Sequence, residues 1–255
     1  MEPKLGLALG AGSAKGLAHL GVLKLFKEEE IKIDYLAGTS IGSIIGGFYA
    51  AGADIDKLEK LAAYLDWDQF TDITVSRMGL IAGKRLQEFF ELLTKQKKFE
   101  ELKLPFAAVA ADVEQGEEVI LREGSVAKAL RASMSIPGVY IPHEINGRKL
   151  VDGAVLNRVP VSVVKEMGAD VVVGVDVSYK VKKHDQVSNI FEVIINSIDI
   201  MQQEIARYKR VEADILVLPK VSHISSRDLD KAEECIKLGY KAAKDKLPKI
   251  RKLID

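Results

Sequence analysis

Ser40 stands between two glycines in Gly38-Thr39-Ser40-Ile41-Gly42, a G-x-S-x-G pattern. In such a segment a strand turns sharply into a helix and pushes one hydroxyl out above the sheet, where it can attack an acyl carbon. Gly38 and Gly42 suit the turn, because a Cβ at either position would collide across it. A serine close to a helix N-terminus also lies in a positive field that favours a developing oxyanion. A pattern this loose arises by chance as well, in an ordinary Gly/Ser turn, so the chemistry needs support from other residues.

Leu9-Gly10-Ala11-Gly12-Ser13-Ala14-Lys15-Gly16 offers it, again between a strand-like and a helix-like run. Such a loop turns several backbone N–H groups towards an anion. One candidate anion is the oxyanion of an ester under attack. The other is a nucleotide pyrophosphate. Gly10, Gly12 and Gly16 come close to a dinucleotide fingerprint, and Asp34 stands about where a ribose-binding acid is expected. That reading makes the chain an NAD(P)-binding oxidoreductase. A purely structural turn is the third option, and a P-loop fits less well because no Ser or Thr follows Lys15. An acyl hydrolase needs both loops side by side, whereas a cofactor site has no use for a nucleophile elbow on the next strand.

A serine hydroxyl also needs a proton acceptor. A triad in the order Ser, Asp, His would draw on Asp176 and then His184 or His223. His184 sits in a charged run, His223 in a polar one, His143 between Pro142 and Glu144, and His19 among apolar helix neighbours. None has a setting that marks it as a base, and the four are too scattered for a zinc site. Val151-Asp152-Gly153-Ala154 differs: Asp152 ends a short strand, and Gly153 permits a turn that aims the carboxylate inward. By itself Asp-Gly reads as a hairpin turn.

The elements that must position these residues alternate. Strand-like runs cover Leu5 to Leu9, Ile33 to Ala37, Phe106 to Ala110, Glu118 to Leu121, Lys149 to Val151, Val171 to Val177 and Ile215 to Leu218. Helical patterns lie between them, at Leu17 to Glu29, Ile41 to Ala51, Asp54 to Leu65, Gly83 to Leu93, Val126 to Ala132, Val161 to Met167, Ile190 to Val211 and beyond Ser226. This order predicts a three-layer α/β/α sandwich around a mostly parallel central sheet, in one domain over 1–255. The segment 66–104 has no convincing strand and carries Trp67, Phe70, Met78, Phe89 and Phe90. It reads either as a helical cap over a pocket or as helices that finish the core.

Lys plus Arg equals Asp plus Glu at 37 each, so no net field favours nucleic acid. One cysteine, Cys235, excludes an internal disulfide, and no apolar run is long enough to span a bilayer. Together with an N-terminus unlike a signal peptide, these features predict a cytoplasmic protein. The basic clusters at Lys95, Lys97 and Lys98 and from Lys241 to Lys252 could rest on anionic headgroups, though a solvated helix face explains them more simply. Nothing in the chain argues for or against a homo-oligomer.

The Gly-rich loop, the Ser40 pentapeptide and Asp152-Gly153-Ala154, in that order, resemble the patatin-like phospholipase family. The likeness runs from about Leu5 to Pro160. It takes in Gly16-Leu17-Ala18-His19-Leu20-Gly21-Val22-Leu23 and Ala132-Ser133-Met134-Ser135-Ile136-Pro137. The resemblance implies that Ser40 and Asp152 form a catalytic dyad cleaving fatty acyl esters of lipids through an acyl-enzyme, with no metal or cofactor. It also implies an oxyanion hole in the Gly-rich loop, made by Gly12 and Ser13, with Lys15 supporting that loop. The chain departs from the family's glycine triplet, which is here Ala11-Gly12-Ser13. A catalytically silent lipid-binding protein remains the alternative.

Overall fold

A computed structural model describes residues 3–64, 67–74, 76, 78–178, 190–208, 212–225 and 228–254. His184 lies outside them, as does part of the expected cap. Eight strands form one sheet: β1 (Leu5–Leu9), β2 (Tyr35–Thr39), β3 (Phe106–Asp112), β4 (Glu117–Leu121), β5 (His143–Ile145), β6 (Arg148–Asp152), β7 (Val171–Val175) and β8 (Ile215–Val217). β8, β7, β1, β2 and β3 are parallel neighbours, while β4 and β6 pair antiparallel with β3, and β5 with β6. The expected α/β sandwich is thus present, with an antiparallel flank. The short strand β5, with only three residues and a polar centre, left no periodic signal in the sequence.

The helices among the described residues are α1 (Ala18–Glu28), α2 (Ile41–Ala50), α3 (Ile55–Tyr64), α4 (Lys84–Leu93), α5 (Val126–Ser133), α6 (Val161–Glu166), α7 (Ile190–Tyr208), α8 (Ala232–Lys244) and α9 (Leu247–Ile254). None is long and apolar enough to cross a membrane. The two faces of the sheet are unequal, and β1 shows why. Leu5, Leu7 and Leu9 point into the larger core, shared with α1, α2, α5 and α8. Ala8 points to the other face, where it joins Ala37, Ala107 and the valines of α6. Small residues there let α6 lie close: a Cβ on Gly6 would come within 3.0 Å of Val164. On the larger side α1 and α8 nearly touch, because a Cβ on Gly21 or Gly239 would meet the facing helix's backbone at 1.9 Å.

The 66–104 segment contributes to this core. Leu86, Phe90 and Phe99 are buried, and Phe90 meets Phe48 of α2 edge-on at 5.7 Å between ring centres. Asp72 caps α4 from outside the helix, accepting from the Gly83 N–H at 2.6 Å and the Lys84 N–H at 2.7 Å. Several of the basic side chains serve the fold. Lys97 Nζ donates to Ala51 O at 3.0 Å, Lys249 Nζ to Asp214 O at 3.2 Å, and Arg251 pairs with Glu29 at 2.7 Å.

Candidate active site

Residue pairing along β3 places the two acidic and nucleophilic candidates. Ala108 pairs with Gly38 on β2 and also with Leu121 on β4, so β2 and β4 occupy opposite edges of β3. Ala110 pairs with Val119 on β4 and with Asp152 on β6, so β6 is also opposite β4. β2 and β6 therefore share one edge and run towards each other along it. β2 ends at Thr39, opposite Val109, and β6 ends at Asp152, opposite Ala110. Ser40 and Asp152 emerge where the two strand ends abut. Gly153 permits the approach: a Cβ there would lie 2.3 Å from Val109 O.

Hydrogen bonds tie this junction together. The Ser40 N–H donates to Ser133 Oγ at 3.0 Å, and that hydroxyl donates to Val109 O at 2.6 Å. The Asp152 N–H donates to Ser135 O at 2.9 Å, and Thr39 Oγ1 donates to Asn157 O, also at 2.9 Å. One short run, Ser133 to Ser135, thus holds both candidates by their backbones. Arg131 secures that run in turn. Its buried guanidinium donates to Ser135 Oγ at 2.5 Å, Ala82 O at 2.8 Å and Ile141 O at 3.0 Å. The sequence reading missed Arg131 and gave Ser133 no role beyond its place in the family-like run, since neither type marks a site without its partners.

Ser40 sits at φ 54° and ψ −123°, a region that L residues rarely adopt. Such strain persists only where the surroundings enforce it, and it aims the side chain away from the helix that follows. The flanking glycines are required, as the sequence suggested. A Cβ on Gly38 would lie 2.4 Å from Gly42 O, and one on Gly42 would lie 2.2 Å from Leu9 O. Ser40 and Asp152 are nearly buried, at 8% and 6% exposure, so a charge formed between them is little screened by water. One Asp152 oxygen, Oδ1, accepts from the Ala154 N–H at 2.9 Å.

The Gly-rich loop leaves β1 beside the elbow. Its first two amides are engaged: Gly10 N–H donates to Val175 O at 3.0 Å and Ala11 N–H to Arg158 O at 2.9 Å. Gly12 and Ser13 follow, at the mouth of a 3-10 turn over Ser13–Leu17, where amides have no partner inside the turn. Gly16 lies against the elbow, since a Cβ on it would meet Ile41 Cγ2 at 2.2 Å. Lys15 is buried in the same turn.

The other candidates lie elsewhere. Buried His19 has its Nε2 2.7 Å from Gly10 O, and burial holds its pKa down at about 4, so the neutral ring donates to that carbonyl. His143 on β5 is also pushed down to about 4, by burial and then by the Arg131 charge. His223 pairs with Glu234 at 2.8 Å on the surface. Asp176, its carboxyl pushed up by burial, accepts from the Ser178 N–H at 2.8 Å. Asp34 corrects the dinucleotide reading. It precedes β2, and its carboxylate accepts from the Leu5 N–H at 2.9 Å, at the opposite end of β1 from the Gly-rich loop. No group of three or more metal-ligating side chains occurs among the described residues.

Residues 7–165 match the model of the patatin-like phospholipase family. The chain belongs to that family. An uncharacterized NTE family protein of Mycobacterium tuberculosis is 34% identical over 180 residues, covering 69% of this chain and 50% of the relative. Lysophospholipase NTE1 of Kluyveromyces lactis is 26% identical, covering 92% of this chain but 18% of its own length. The chain thus spans about half the length of the mycobacterial relatives it matches. Among solved structures, VipD from Legionella pneumophila shares the fold, with a TM-score of 0.65 at 13% identity over 98% of this chain and 67% of VipD. The type III effector ExoU follows with a TM-score of 0.53, 11% identity and coverage of 98% and 53%.

Proposed function

We propose that this patatin-like domain hydrolyses acyl esters of lipids with Ser40 as nucleophile and Asp152 as base. The observation that carries this reading is the head-to-head meeting of β2 and β6 on one edge of β3. Asp152 takes the proton of Ser40 Oγ as that oxygen bonds to the ester carbonyl carbon. The Gly12 and Ser13 amides hold the resulting oxyanion, a role that suits them because Gly10 and Ala11 are already bonded. Collapse expels the alcohol, which takes the proton from Asp152, and leaves acyl-Ser40. Water then attacks, Asp152 accepts its proton, and the acid departs as Ser40 regains a hydrogen.

Family membership and the printed activity of the Kluyveromyces relative, a lysophospholipase, support a lipid ester as substrate. A small apolar hollow of about 40 Å³ lies along α2, lined by Ile41, Ile44, Ile45, Phe48, Leu61 and Phe89 among others; Ser40 is not part of its lining.

Ser40→Ala and Asp152→Asn should each lower turnover of a long-chain p-nitrophenyl ester by roughly 10⁴-fold or more while both proteins stay folded. Labelling of Ser40 by a fluorophosphonate should accompany the wild-type activity. Normal turnover by the Asp152→Asn protein would remove the dyad, and an unlabelled Ser40 would favour the silent lipid-binding alternative.

A further inference from the structure

Six residues after Asp152 the chain reaches Arg158, a half-buried cation outside the proposed dyad. Its backbone and its side chain grip the same residue of the Gly-rich loop. Arg158 O accepts from the Ala11 N–H at 2.9 Å. Its guanidinium donates from Nη2 to Ser178 Oγ at 2.6 Å, and that hydroxyl donates to Ala11 O at 3.0 Å. Nη1 donates to the buried Gln202 of α7, which holds the other arm of the fork. Ala11 is thus bonded at both its N–H and its C=O. It is also the last residue before the Gly12 and Ser13 amides.

A serine hydroxyl has one hydrogen to give and otherwise only accepts. With a guanidinium N–H aimed at Ser178 Oγ, that hydrogen must turn away from Arg158, and Ala11 O is the acceptor it meets. The Ser178 backbone is fixed separately, its N–H donating to Asp176 Oδ1 at 2.8 Å. A bond from a charged donor is about twice as strong as a neutral one, and Ser178 is buried from competing water. The loop lies directly on this arrangement. A Cβ on Gly12 would stand 3.3 Å from Ser178 Oγ, and one on Gly10 would stand 3.3 Å from Arg158 O. The neighbouring Asn157 O accepts from Thr39, the residue before Ser40. One run, 152–158, therefore carries the proposed base and holds the residues that precede the nucleophile and the amides.

We infer that Arg158 is a positioning residue for the oxyanion donors: it orients the Ser178 hydroxyl, which fixes Ala11 and so aims the two amides that follow. The inference rests on the hydrolase reading, in which Gly12 and Ser13 are those donors. Donors of this kind act only when they already point at the place where the charge will form. A misplacement of about 1 Å costs about 10²-fold in rate, even when its cause lies away from the reacting atoms. Arg158 therefore governs the rate of the chemical step and leaves binding of the ester largely alone.

The test compares the full chain with Arg158→Met, Ser178→Ala and the double variant. With p-nitrophenyl butyrate, each single variant should lose about 10- to 100-fold in kcat while KM stays within about threefold. The double variant should fall within about threefold of the weaker single one, because both changes act on Ala11 through one bond. Exchange of the Ala11 amide should accelerate by about tenfold or more in all three, with α2 amides unchanged. Should Arg158→Met fail to fold, Ser178→Ala carries both readouts. Wild-type kcat in the folded variants would overturn the inference, whatever their loss of stability. So would losses that multiply in the double variant, since Arg158 would then act by its charge and not through Ser178. A wild type that turns over no ester, with Ala11 exchange still faster in the variants, would leave the clamp standing but overturn the hydrolase reading, and the oxyanion role with it.

Discussion

The chain leaves β1 and β2 through neighbouring turns into helices, and each turn holds one serine at positive φ: Ser13 at 50° and Ser40 at 54°. What each turn presents is opposite. At Ser40 the amide is tied down by Ser133 Oγ, and the side chain is the group left for chemistry. At Gly12 and Ser13 the backbone amides are the free resource, while the Ser13 side chain lies exposed. The constraints differ as well. Backbone packed on backbone forms the elbow, as the carbonyls facing Gly38 and Gly42 show. The Gly-rich loop leans on side chains instead: a Cβ on Gly12 would meet Val177 Cγ2 at 2.4 Å, and His19 braces Gly10. On the proposed roles, a turn that must aim one atom is built rigidly, whereas a turn that offers amides can rest on softer neighbours.

The hardest way to break this contrast is at Gly42, where the two turns touch. A Cβ there would lie 2.2 Å from Leu9 O and 2.8 Å from Gly10 O, and neither carbonyl can move without shifting β1. Gly42→Ala should cost about 3 kcal/mol or more, despite the better helix propensity of alanine. Gly12→Ala should cost less, about 1–2 kcal/mol, because a valine side chain can rotate or shift. Denaturant midpoints for the two variants measure the difference. Equal losses would mean that the Gly-rich loop is as rigid as the elbow.

Acid should loosen one turn before the other. His19 titrates near 4 in the folded chain, against 6.5 for an ordinary histidine. Between those values the unfolded state binds the extra proton, so stability is fully present above about 6.5 and is lost as pH falls towards 4. The loss amounts to roughly 3 kcal/mol at most. His143 adds to the same window in the same direction, being pushed down to about 4. His19→Gln, which keeps an N–H for Gly10 O, should flatten part of this dependence. Amide exchange should rise across Gly10 to Gly16 near pH 5 while α2 amides stay protected. Equal acceleration in both segments would show that the brace serves the whole fold.

The two turns also differ in how well the sequence reports them. Glycine spacing drew attention to the elbow; Gly38 is required by a contact within the pentapeptide, with Gly42 O, but Gly42 is required by Leu9 O and Gly10 O, far away in the chain. It also drew attention to the Gly-rich loop, but there it left three meanings open. The elbow on the next strand already weighed against the dinucleotide meaning, and the position of Asp34, at the far end of β1 from the loop, adds a tertiary fact that no local pattern holds. Asp152 was legible as a carboxylate at a strand end. Its meeting with Ser40 depends on β6 running head to head with β2, an arrangement that no local pattern encodes. The roles of Ser133 and Arg131 were invisible for the same reason, because their work lies in contacts across tens of residues. The exposure of Ile190, Val193, Ile200, Met201 and Ile205 on α7 was hidden differently. Its apolar periodicity predicts a helix, but periodicity does not say which face meets the core.

The smallest expected effect bears most closely on what each serine is for. Ser13→Gly relieves a non-glycine residue at φ 50°. The gain, about 1 kcal/mol, is offset in part by the greater freedom of glycine in the unfolded chain, leaving roughly 0.5 kcal/mol of net stabilisation. Its effect on ester turnover distinguishes amide from hydroxyl. If the backbone N–H holds the oxyanion, kcat should change by less than about threefold, since glycine keeps that group. If the Ser13 hydroxyl is the donor, its loss should lower kcat by about 10²-fold. The first outcome sharpens the contrast between a serine used for its side chain and one used for its backbone; the second would make both serines side-chain residues and end it.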